Sequence, residues 1–320
     1  MTTALVIPTV REKSILRFFN NWKISNEVVV FVIEDNPTKT FNLDVVGRPD
    51  HLIHVSWKEI DEDLKDKSWI IPRRTDCIRS YGFYLAYKQK FDCILTLDDD
   101  CYRADSDESF DVFLNRHYDN LNWQPTKWVS TIKELKPRGM PFKNRGERKV
   151  VLNMGFWNNV PDLDAPTHLA WKWDSYNANI FKPVPPNYFF PMSGMNLIFR
   201  REITPMMYFM LMGQGYKYDR FGDIWCGIIA KKICDHLGYA VTAGSPSVNH
   251  DKASSVWNNL RKETEALYEN EYFWESIDKI ELKGKNAVDC YLEIAESFKG
   301  EDKYFNKLSE AMKVWVDILK

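Results

Sequence analysis

Short apolar runs alternate with amphipathic segments along the N-terminal third of the chain. After the first run, apolar side chains recur at helical spacing and predict a helix that begins at Thr9 and ends at about Trp22. The same spacing over Thr75–Gln89 predicts a second helix. Strands that alternate with helices are typical of an α/β sheet with right-handed crossovers. The apolar runs of strand length are Ala4–Pro8, Val28–Ile33, His51–Val55 and Cys93–Leu97.

The middle of the chain shows a different pattern. Asn120–Pro191 is rich in Pro, Asn and Trp and has no long periodic segment. A loop of that length in an α/β protein is usually functional, so the pattern predicts an irregular, lid-forming segment. Helical periodicity returns at Ile203–Leu211 and Asp223–Leu237, and Tyr239–Ala243 is typical of a short strand.

The C-terminal part of the chain is helical throughout. We predict a main α/β domain over residues 1–253 and a helical C-terminal extension, packed on it, over residues 254–320. The predicted helices of the extension are Trp257–Tyr272, Asn286–Phe298 and Lys303–Ile318.

Three consecutive aspartates, Asp98, Asp99 and Asp100, follow the apolar run Cys93–Leu97. Such a run favours a strand buried on both faces, and ligands in open α/β sheets bind beyond the carboxyl ends of the strands. A cation would offset the repulsion among the aspartates, and carboxylate oxygens suit Mg²⁺ or Mn²⁺ that also binds substrate phosphates. The functional interpretation is a metal–diphosphate site of the DxD type found in nucleotide-sugar enzymes. The alternative is a solvated acidic turn that caps the next helix.

Composition excludes several classes of function. The net charge of −2 gives no basic face for a nucleic acid. No apolar run is long enough to span a bilayer, and the N-terminal residues Met1–Pro8 lack the features of a signal peptide, so we expect no membrane insertion. The six cysteines include no CxxC pair, which predicts reduced, buried thiols and a cytoplasmic location.

Four further residues are candidates for binding or catalysis, and each has a structural alternative. Asp223 is either the N-cap of a helix or a carboxylate facing a sugar or an acceptor hydroxyl. His250 follows a strand and is either structural or a metal ligand. A guanidinium matches phosphate geometry, so Arg79 and Arg145 could bind a diphosphate. Alternatively, Arg79 pairs with a carboxylate and Arg145 is one cation of a basic surface loop.

Longer motifs resemble one known family, the reversibly glycosylated polypeptides of plants, which are UDP-arabinopyranose mutases. The resemblance covers nearly the whole chain, from the first strand to the C-terminal helices. The segments that carry it are Leu97–Cys101, Gly155–Thr167, Pro191–Leu197, Met207–Gly213 and Ile233–Leu237.

This resemblance implies a GT-A-like nucleotide-diphospho-sugar fold, whose mixed, mostly parallel sheet is flanked by helices. It implies a UDP-sugar as partner and a metal-dependent, flavin-free interconversion of UDP-arabinopyranose and UDP-arabinofuranose. It also implies reversible attachment of the sugar to one arginine, and counting back from Gly155 without a gap places that arginine at Arg145. The chain is a candidate homo-oligomer, whose helical C-terminal third could form the contact.

Specific roles follow for residues that match the family. We expect Arg145 and Asp223 to be catalytic, with Asp162 and Asp164 as further candidates for the base that would keep an arginine neutral. The expected ligands of Mn²⁺ or Mg²⁺ are Asp98, Asp99, Asp100 and His250. The expected substrate-binding residues are Glu34, Arg79, Asp98, Trp157, Asp164 and Asn196.

Two other functions stay open at this stage. A glycosyltransferase that passes a sugar from a nucleotide donor to a separate acceptor would share the fold and the metal site, because function resides in the site and not in the fold. Formation of an isomerised UDP-sugar without added acceptor distinguishes the mutase from the transferase. A non-catalytic protein that binds nucleotide sugars within an assembly would bind UDP without any chemistry.

Overall fold

The structure is a computed structural model that describes residues 1–45, 47–105, 108–128, 138–143, 146–171, 181–252 and 254–320. Its strands are β1 (Thr3–Thr9), β2 (Val28–Glu34), β3 (Leu52–Val55), β4 (Cys93–Leu97), β5 (Cys101–Arg103), β6 (Val150–Asn159), β7 (Lys182–Pro183), β8 (Asn196–Arg200) and β9 (Ala240–His250). Its α-helices are α1 (Glu12–Trp22), α2 (Trp57–Leu64), α3 (Arg79–Lys88), α4 (Phe110–Asn122), α5 (Ala165–Ala170), α6 (Gly222–His236), α7 (Val256–Asp278), α8 (Ala287–Ser297) and α9 (Lys303–Leu319). Short 3₁₀ helices lie at Lys65–Ile70, Asp76–Ile78 and Arg201–Met206.

The strands form one sheet in the order β3-β2-β1-β4-β8-β6-β9-β5, and β7 pairs with β9. Among the described residues, β1, β2, β3, β4, β6 and β9 share one direction, while β5, β7 and β8 run against them. Strand β4 therefore lies near the middle, parallel to β1 on one side and antiparallel to β8 on the other. The predicted α/β class, with a mixed, mostly parallel sheet flanked by helices, is confirmed.

Every residue of β4 is buried, as the unbroken apolar run predicts. Its alternate side chains enter two different cores, because successive residues of a strand point to opposite faces. Ile94 packs into a core that includes Phe83 of α3, whereas Leu95 packs into a core that includes Phe18 of α1. Helices thus cover both faces, and the aspartates that follow Leu97 are held at the end of a rigid strand.

The prediction of an irregular segment over Asn120–Pro191 is wrong at its centre, which forms β6 between β8 and β9. The strand carries Asn153 and Gly155 among its apolar residues, so neither an alternating nor an unbroken apolar pattern marks it. Asn153 is fully buried, where its Nδ2 donates to Nδ1 of His117 at 2.8 Å and its Oδ1 accepts from Thr242 Oγ1 at 2.7 Å. This polar network sits where the pattern leads one to expect an apolar side chain.

The helix predicted over Ile203–Leu211 is also wrong. A 3₁₀ helix ends at Met206, and Pro205 lies within it. Proline provides no N–H for continued helical bonding, and Met210 has a φ of 68°, a left-handed conformation that an α-helix excludes. The apolar side chains of this segment are buried together, so their spacing follows the core and not a helical face.

Strand β9 is longer than the predicted Tyr239–Ala243 and continues to His250. Its pairing with β6 shifts register between Gly155 and Phe156, which is the mark of a bulge or irregularity. Bulges re-aim side chains next to functional sites. The extension of β9 past this point brings His250 beside the start of β5.

The C-terminal helices share one hydrophobic core with the sheet domain. Phe273 of α7 stacks on Trp225 of α6 with ring centroids 4.2 Å apart, and Trp315 of α9 stacks on Tyr208 at 5.4 Å. The division into residues 1–253 and 254–320 stays a prediction. The extension packs on the main domain through large aromatic contacts.

All six cysteines are buried and free of disulfides, as predicted. In the described parts of the chain, every helix is too short or too polar to cross a membrane.

We predict that α7 stabilises the whole fold through Phe273, which is 2% exposed. Phe273→Ala removes the stack on Trp225 and leaves a cavity, so the free energy of unfolding should fall by about 3–5 kcal/mol. Tyr272→Ala, its neighbour and 56% exposed, is the matched control and should change it by less than about 0.5 kcal/mol. The measurement is urea unfolding followed by tryptophan fluorescence. Equal stability of the two variants would contradict a shared core.

Candidate functional site

A cavity of about 770 Å³ opens beyond the carboxyl ends of β1 and β4. This is the edge at which ligands bind in open α/β sheets. The cavity is lined by the turn after β1, the Asp98–Asp100 turn, the segment Asp162–Asp164 and part of helix α7. The acidic triplet therefore faces a cavity and does not lie on an exposed helix cap.

Backbone hydrogen bonds fix the acidic turn from two sides. The amide of Cys101 donates to Asp98 O at 3.1 Å, and the amide of Asp251 donates to Asp100 O at 3.0 Å. Strand β5 begins at Cys101, which pairs with His250 at the end of β9. The turn after β4 is thus tied directly to the end of β9.

The first two aspartates each have an arginine partner. Oδ1 of Asp98 accepts from Nη2 of Arg79 at 2.6 Å. Burial by itself would raise the pKa of Asp98, but the ion pair with Arg79 outweighs it and leaves the pKa below its ordinary value. Asp99 pairs with Arg11, yet burial still raises the pKa of Asp99.

The imidazole of His250 is oriented toward the third aspartate. Its Nδ1 lies 2.7 Å from Val160 O, and since a carbonyl only accepts, Nδ1 donates there; in the neutral imidazole the lone pair is then on Nε2. Nε2 lies 3.9 Å from Oδ1 of Asp100. A histidine whose other nitrogen donates to a backbone carbonyl is typical of metal ligands. Carboxylate donors fit the expected Mn²⁺ or Mg²⁺, whereas an imidazole donor is more typical of transition-metal ions.

The protein supplies only part of a complete ligand set. Within the described ranges, no three His, Cys, Asp or Glu side chains lie close enough to hold a metal ion by themselves. Divalent ions at nucleotide sites usually bind one or two carboxylates together with substrate phosphates. The geometry therefore suits an ion that binds with a diphosphate.

Asp223 lies in the first turn of α6 and lines the cavity. The N-cap of this helix is Phe221, so the alternative role predicted for Asp223 does not apply. Burial, together with the nearby charges of Asp76 and Asp162, raises the pKa of Asp223 to about 8. Its Oδ2 accepts from the amide of Gly194 at 2.9 Å. Such a carboxyl exchanges a proton near neutral pH, which is the property of an acid–base catalyst.

Four of the residues predicted to bind substrate line the cavity, namely Arg79, Asp98, Trp157 and Asp164. Nε1 of Trp157 is buried and makes no hydrogen bond among the described residues. Asp164 also caps α5, because its Oδ1 accepts from the amide of Thr167 at 2.8 Å.

Glu34 and Asn196 are fully buried and lie outside the cavity wall. Oε1 of Glu34 accepts from Thr40 Oγ1 at 2.6 Å, and its Oε2 lies 2.7 Å from Nε2 of His54. Nδ2 of Asn196 donates to Phe156 O at 3.0 Å and thereby joins β8 to β6. Their substrate-binding roles stay predictions, since these contacts are within the protein.

Several charged residues that line the cavity were not predicted from the sequence. Arg11 and Asp35 follow β1 and β2 directly, so their position at the carboxyl ends of strands was an available signal. Lys262 and Glu263 lie on α7, where they have the pattern of any solvated helix face. Arg145 lies outside the described residues. The missed charged residues are Arg11, Asp35, Arg74, Asp76, Asp219, Arg220, Lys252, Lys262 and Glu263.

Sequence comparison places this geometry in a family. The family model described as "Reversibly glycosylated polypeptide" matches residues 2–320. The chain belongs to the reversibly glycosylated polypeptide family. The resemblance predicted from the motifs is thereby confirmed over nearly the full length.

Two plant proteins are similar to this chain over most of their length. UDP-arabinopyranose mutase 1 of Arabidopsis thaliana is 33% identical over 339 residues, which cover 98% of this chain and 90% of the relative. UDP-arabinopyranose mutase 1 of Oryza sativa subsp. japonica is also 33% identical, with 98% and 89% covered. Among solved structures, apo mouse xyloside xylosyltransferase 1 matches 62% of this chain and 67% of its own, with a TM-score of 0.29 and 9% identity. A likeness that small carries no argument about function.

We predict that stability depends on pH through Asp223, whose pKa of about 8 in the folded protein compares with 3.8 ordinarily. The folded state keeps a proton that the unfolded state loses above the ordinary pKa. The contribution of Asp223 to the free energy of unfolding is therefore fully present at low pH. It falls as the pH rises to about 8, by up to about 1.4 kcal/mol per pH unit.

Asp223→Asn cannot ionise at this position. The difference in the free energy of unfolding between this variant and the wild type should grow in favour of the variant from about pH 5 to pH 8 and stay constant above that. Urea unfolding at several pH values measures this difference. A difference that stays constant across the range would contradict the raised pKa.

Proposed function

We propose that this chain interconverts the pyranose and furanose forms of a UDP-sugar, with UDP-arabinose as the substrate class. The family assignment over residues 2–320 supports this, together with relatives named UDP-arabinopyranose mutases. The divalent metal, the reversible glycosylation of an arginine and the absence of a flavin belong to the same proposal. Location in the cytoplasm and self-association stay predictions from the sequence.

The observation that carries the proposal is the pairing of two kinds of carboxylate in one cavity. The Asp98–Asp100 turn suits the diphosphate end of a nucleotide sugar with its metal ion. Asp223, whose pKa is about 8, lines the same cavity and can exchange a proton at neutral pH. A mutase needs both, because it must release the sugar from the diphosphate and move a proton between two sugar oxygens.

The proton balance of the ring exchange suits Asp223. A change of ring size breaks the bond from C1 to the ring oxygen O5 and forms a bond from C1 to O4. O5 gains a proton and O4 loses one. Protonated Asp223 can donate to O5 as the ring opens, and the resulting carboxylate can take the proton from O4 as the new ring closes. The enzyme returns to its starting protonation state.

A group must hold C1 while the ring is open, and we assign this role to Arg145. Its neutral guanidine nitrogen would form a bond to C1 as the C1–O bond to the diphosphate breaks. The nitrogen lone pair would then expel O5 to give an iminium, and attack by O4 would close the furanose. UDP would attack C1 again and break the C1–N bond. A base must take one proton from the guanidinium before it attacks C1 and a second from the nitrogen that has bonded to C1, so that a lone pair is available to expel O5. Both protons return to the guanidine when UDP attacks C1 and the C1–N bond breaks, and Asp162 and Asp164 line the cavity as candidate bases.

Asp98, Asp100 and His250 are the residues that would hold the divalent ion. When bound, such an ion stabilises the negative charge that develops on the diphosphate during cleavage of the bond to C1. The protein keeps two of these side chains in place: Arg79 holds Asp98, and Val160 O holds the imidazole of His250.

We predict that the protein, incubated with UDP-arabinopyranose and Mn²⁺ and no acceptor, forms UDP-arabinofuranose. EDTA should abolish the reaction, and added Mn²⁺ should restore it. Asp223→Asn should lower kcat by about 10²- to 10⁴-fold, because the proton transfer is lost. NMR spectroscopy of the anomeric protons distinguishes the two ring forms.

Other outcomes of this experiment identify the alternatives. Hydrolysis to UDP and free sugar, or reaction only after an acceptor is added, would replace the mutase with a glycosyltransferase. Binding of UDP without any conversion across a panel of nucleotide pyranoses would indicate a non-catalytic binding protein.

We also predict that Arg145 carries the sugar during turnover. Protein incubated with UDP-[¹⁴C]arabinopyranose should become labelled, and Arg145→Ala should lose both the label and the mutase activity. Arg138→Ala, an exposed arginine of the same segment, is the control and should keep both. Turnover at the wild-type rate by Arg145→Ala would remove the arginine from the mechanism.

A further inference from the structure

Arg11 makes the closest cationic contacts with the acidic turn. It stands between β1 and α1, and its guanidinium lies against the second and third aspartates. Nε donates to Asp99 Oδ2 at 3.2 Å, and Nη2 donates to Asp99 Oδ1 and to Asp100 Oδ2, the latter at 3.1 Å. This two-point contact with Asp99 fixes the plane of the guanidinium as well as its position.

Asp99 has no carboxylate oxygen left without a partner inside the protein. Oδ2 accepts from Thr9 Oγ1 at 2.5 Å as well as from Arg11, and Oδ1 accepts from Arg11. The side chain of Asp99 is only 2% exposed. Both oxygens of this carboxylate are thus engaged within the protein, which orients the guanidinium of Arg11.

The guanidinium of Arg11 reaches the cavity that the Asp98–Asp100 turn lines. The side chain is 35% exposed, and Arg11 lines the cavity. Among the described residues, no group accepts from its Nη1. The guanidinium of Arg11 is therefore held rigidly, with Nη1 available to a ligand.

Arg79, the arginine expected from the sequence to bind phosphate, is placed differently. It is 2% exposed, and its donors reach Asp98 Oδ1, Thr96 Oγ1 and Gly194 O. With these bonds made, Arg79 acts mainly inside the protein. Arg11 is the arginine beside the acidic turn whose charge reaches the cavity.

We propose that Arg11 binds the diphosphate of the nucleotide sugar and that Asp99 is a positioning residue that holds Arg11, not a metal ligand. This rests on the proposed function, since a diphosphate must occupy the cavity. A diphosphate beside three carboxylates needs positive charge from more than a metal ion. Nη1 of Arg11 can donate to a phosphate oxygen, and the guanidinium supplies that charge from the β1 side.

The test compares the affinities of UDP and uridine by calorimetry, in EDTA and in Mn²⁺. Arg11→Gln keeps a hydrogen-bond donor and removes the charge, so its affinity for UDP should fall by about 10- to 100-fold while that for uridine stays within about twofold. Arg11→Lys keeps the charge but lacks the planar guanidinium, so its affinity for UDP should fall less than that of Arg11→Gln. Arg17→Gln is the matched control, because Arg17 also pairs with an aspartate, Asp251 at 2.6 Å, but lies outside the cavity wall.

Asp99→Asn tests the positioning role separately. If Asp99 acts through Arg11, this variant should lose affinity for UDP in EDTA, and the double variant with Arg11→Gln should lose little more. Its Mn²⁺ affinity in the presence of UDP, read by electron paramagnetic resonance, should match that of Arg11→Gln.

Three results would overturn the assignment. Equal loss of UDP and uridine affinity in Arg11→Gln would show a general disturbance of the pocket, and unchanged UDP affinity would remove Arg11 from the site. Loss of Mn²⁺ affinity in Asp99→Asn alone would make Asp99 a metal ligand. Wild-type protein that fails to bind UDP at all would instead overturn the proposed function, which distinguishes that failure from a failure of Arg11.

Discussion

Three neighbouring carboxylates at the end of a buried strand impose the main constraint on this structure. A buried charge without a partner costs several kcal/mol, so each aspartate that faces the core side of the turn must be matched. Arg79 meets this requirement for Asp98 from α3, and Arg11 meets it for Asp99 from the turn after β1. The first strand, the third helix and the acidic turn are therefore fixed relative to one another by charge, in addition to the apolar packing beneath them.

The same constraint reaches the proposed acid–base group through Gly194. The carbonyl of Gly194 accepts from Nη1 of Arg79 at 2.6 Å, and its amide donates to Oδ2 of Asp223 at 2.9 Å. A Cβ at this position would lie 2.8 Å from the ring of Phe209 and 3.1 Å from Nη1 of Arg79, so a larger residue would force the segments apart. One residue thus joins Arg79, which holds the acidic turn, to Asp223, the proposed acid–base group.

A feature of this site is predictable from the sequence when the residues that cause it are adjacent in the chain. The acidic triplet was predictable, because the strand that aims it and the charges themselves are adjacent in the chain. The raised pKa of Asp223 was not, since it arises from burial and from Asp76 and Asp162, which are distant in sequence. Strand β6 was missed because Asn153 pairs with a buried histidine, a contact that no periodicity reports.

Helix α7 shows why the C-terminal helices belong to the functional unit. Oε1 of Glu263 accepts from Nε of Arg220 at 2.8 Å, and its Oε2 accepts from the amide of Ala165 at 2.7 Å, so one buried carboxylate ties α7 to two other walls of the cavity. Lys262 reaches the same wall. The cavity is therefore closed on one side by residues from beyond the sheet domain. A helical addition that merely stabilised the fold would not place a buried carboxylate at the junction of three cavity walls, and this indicates that α7 helps to shape the cavity.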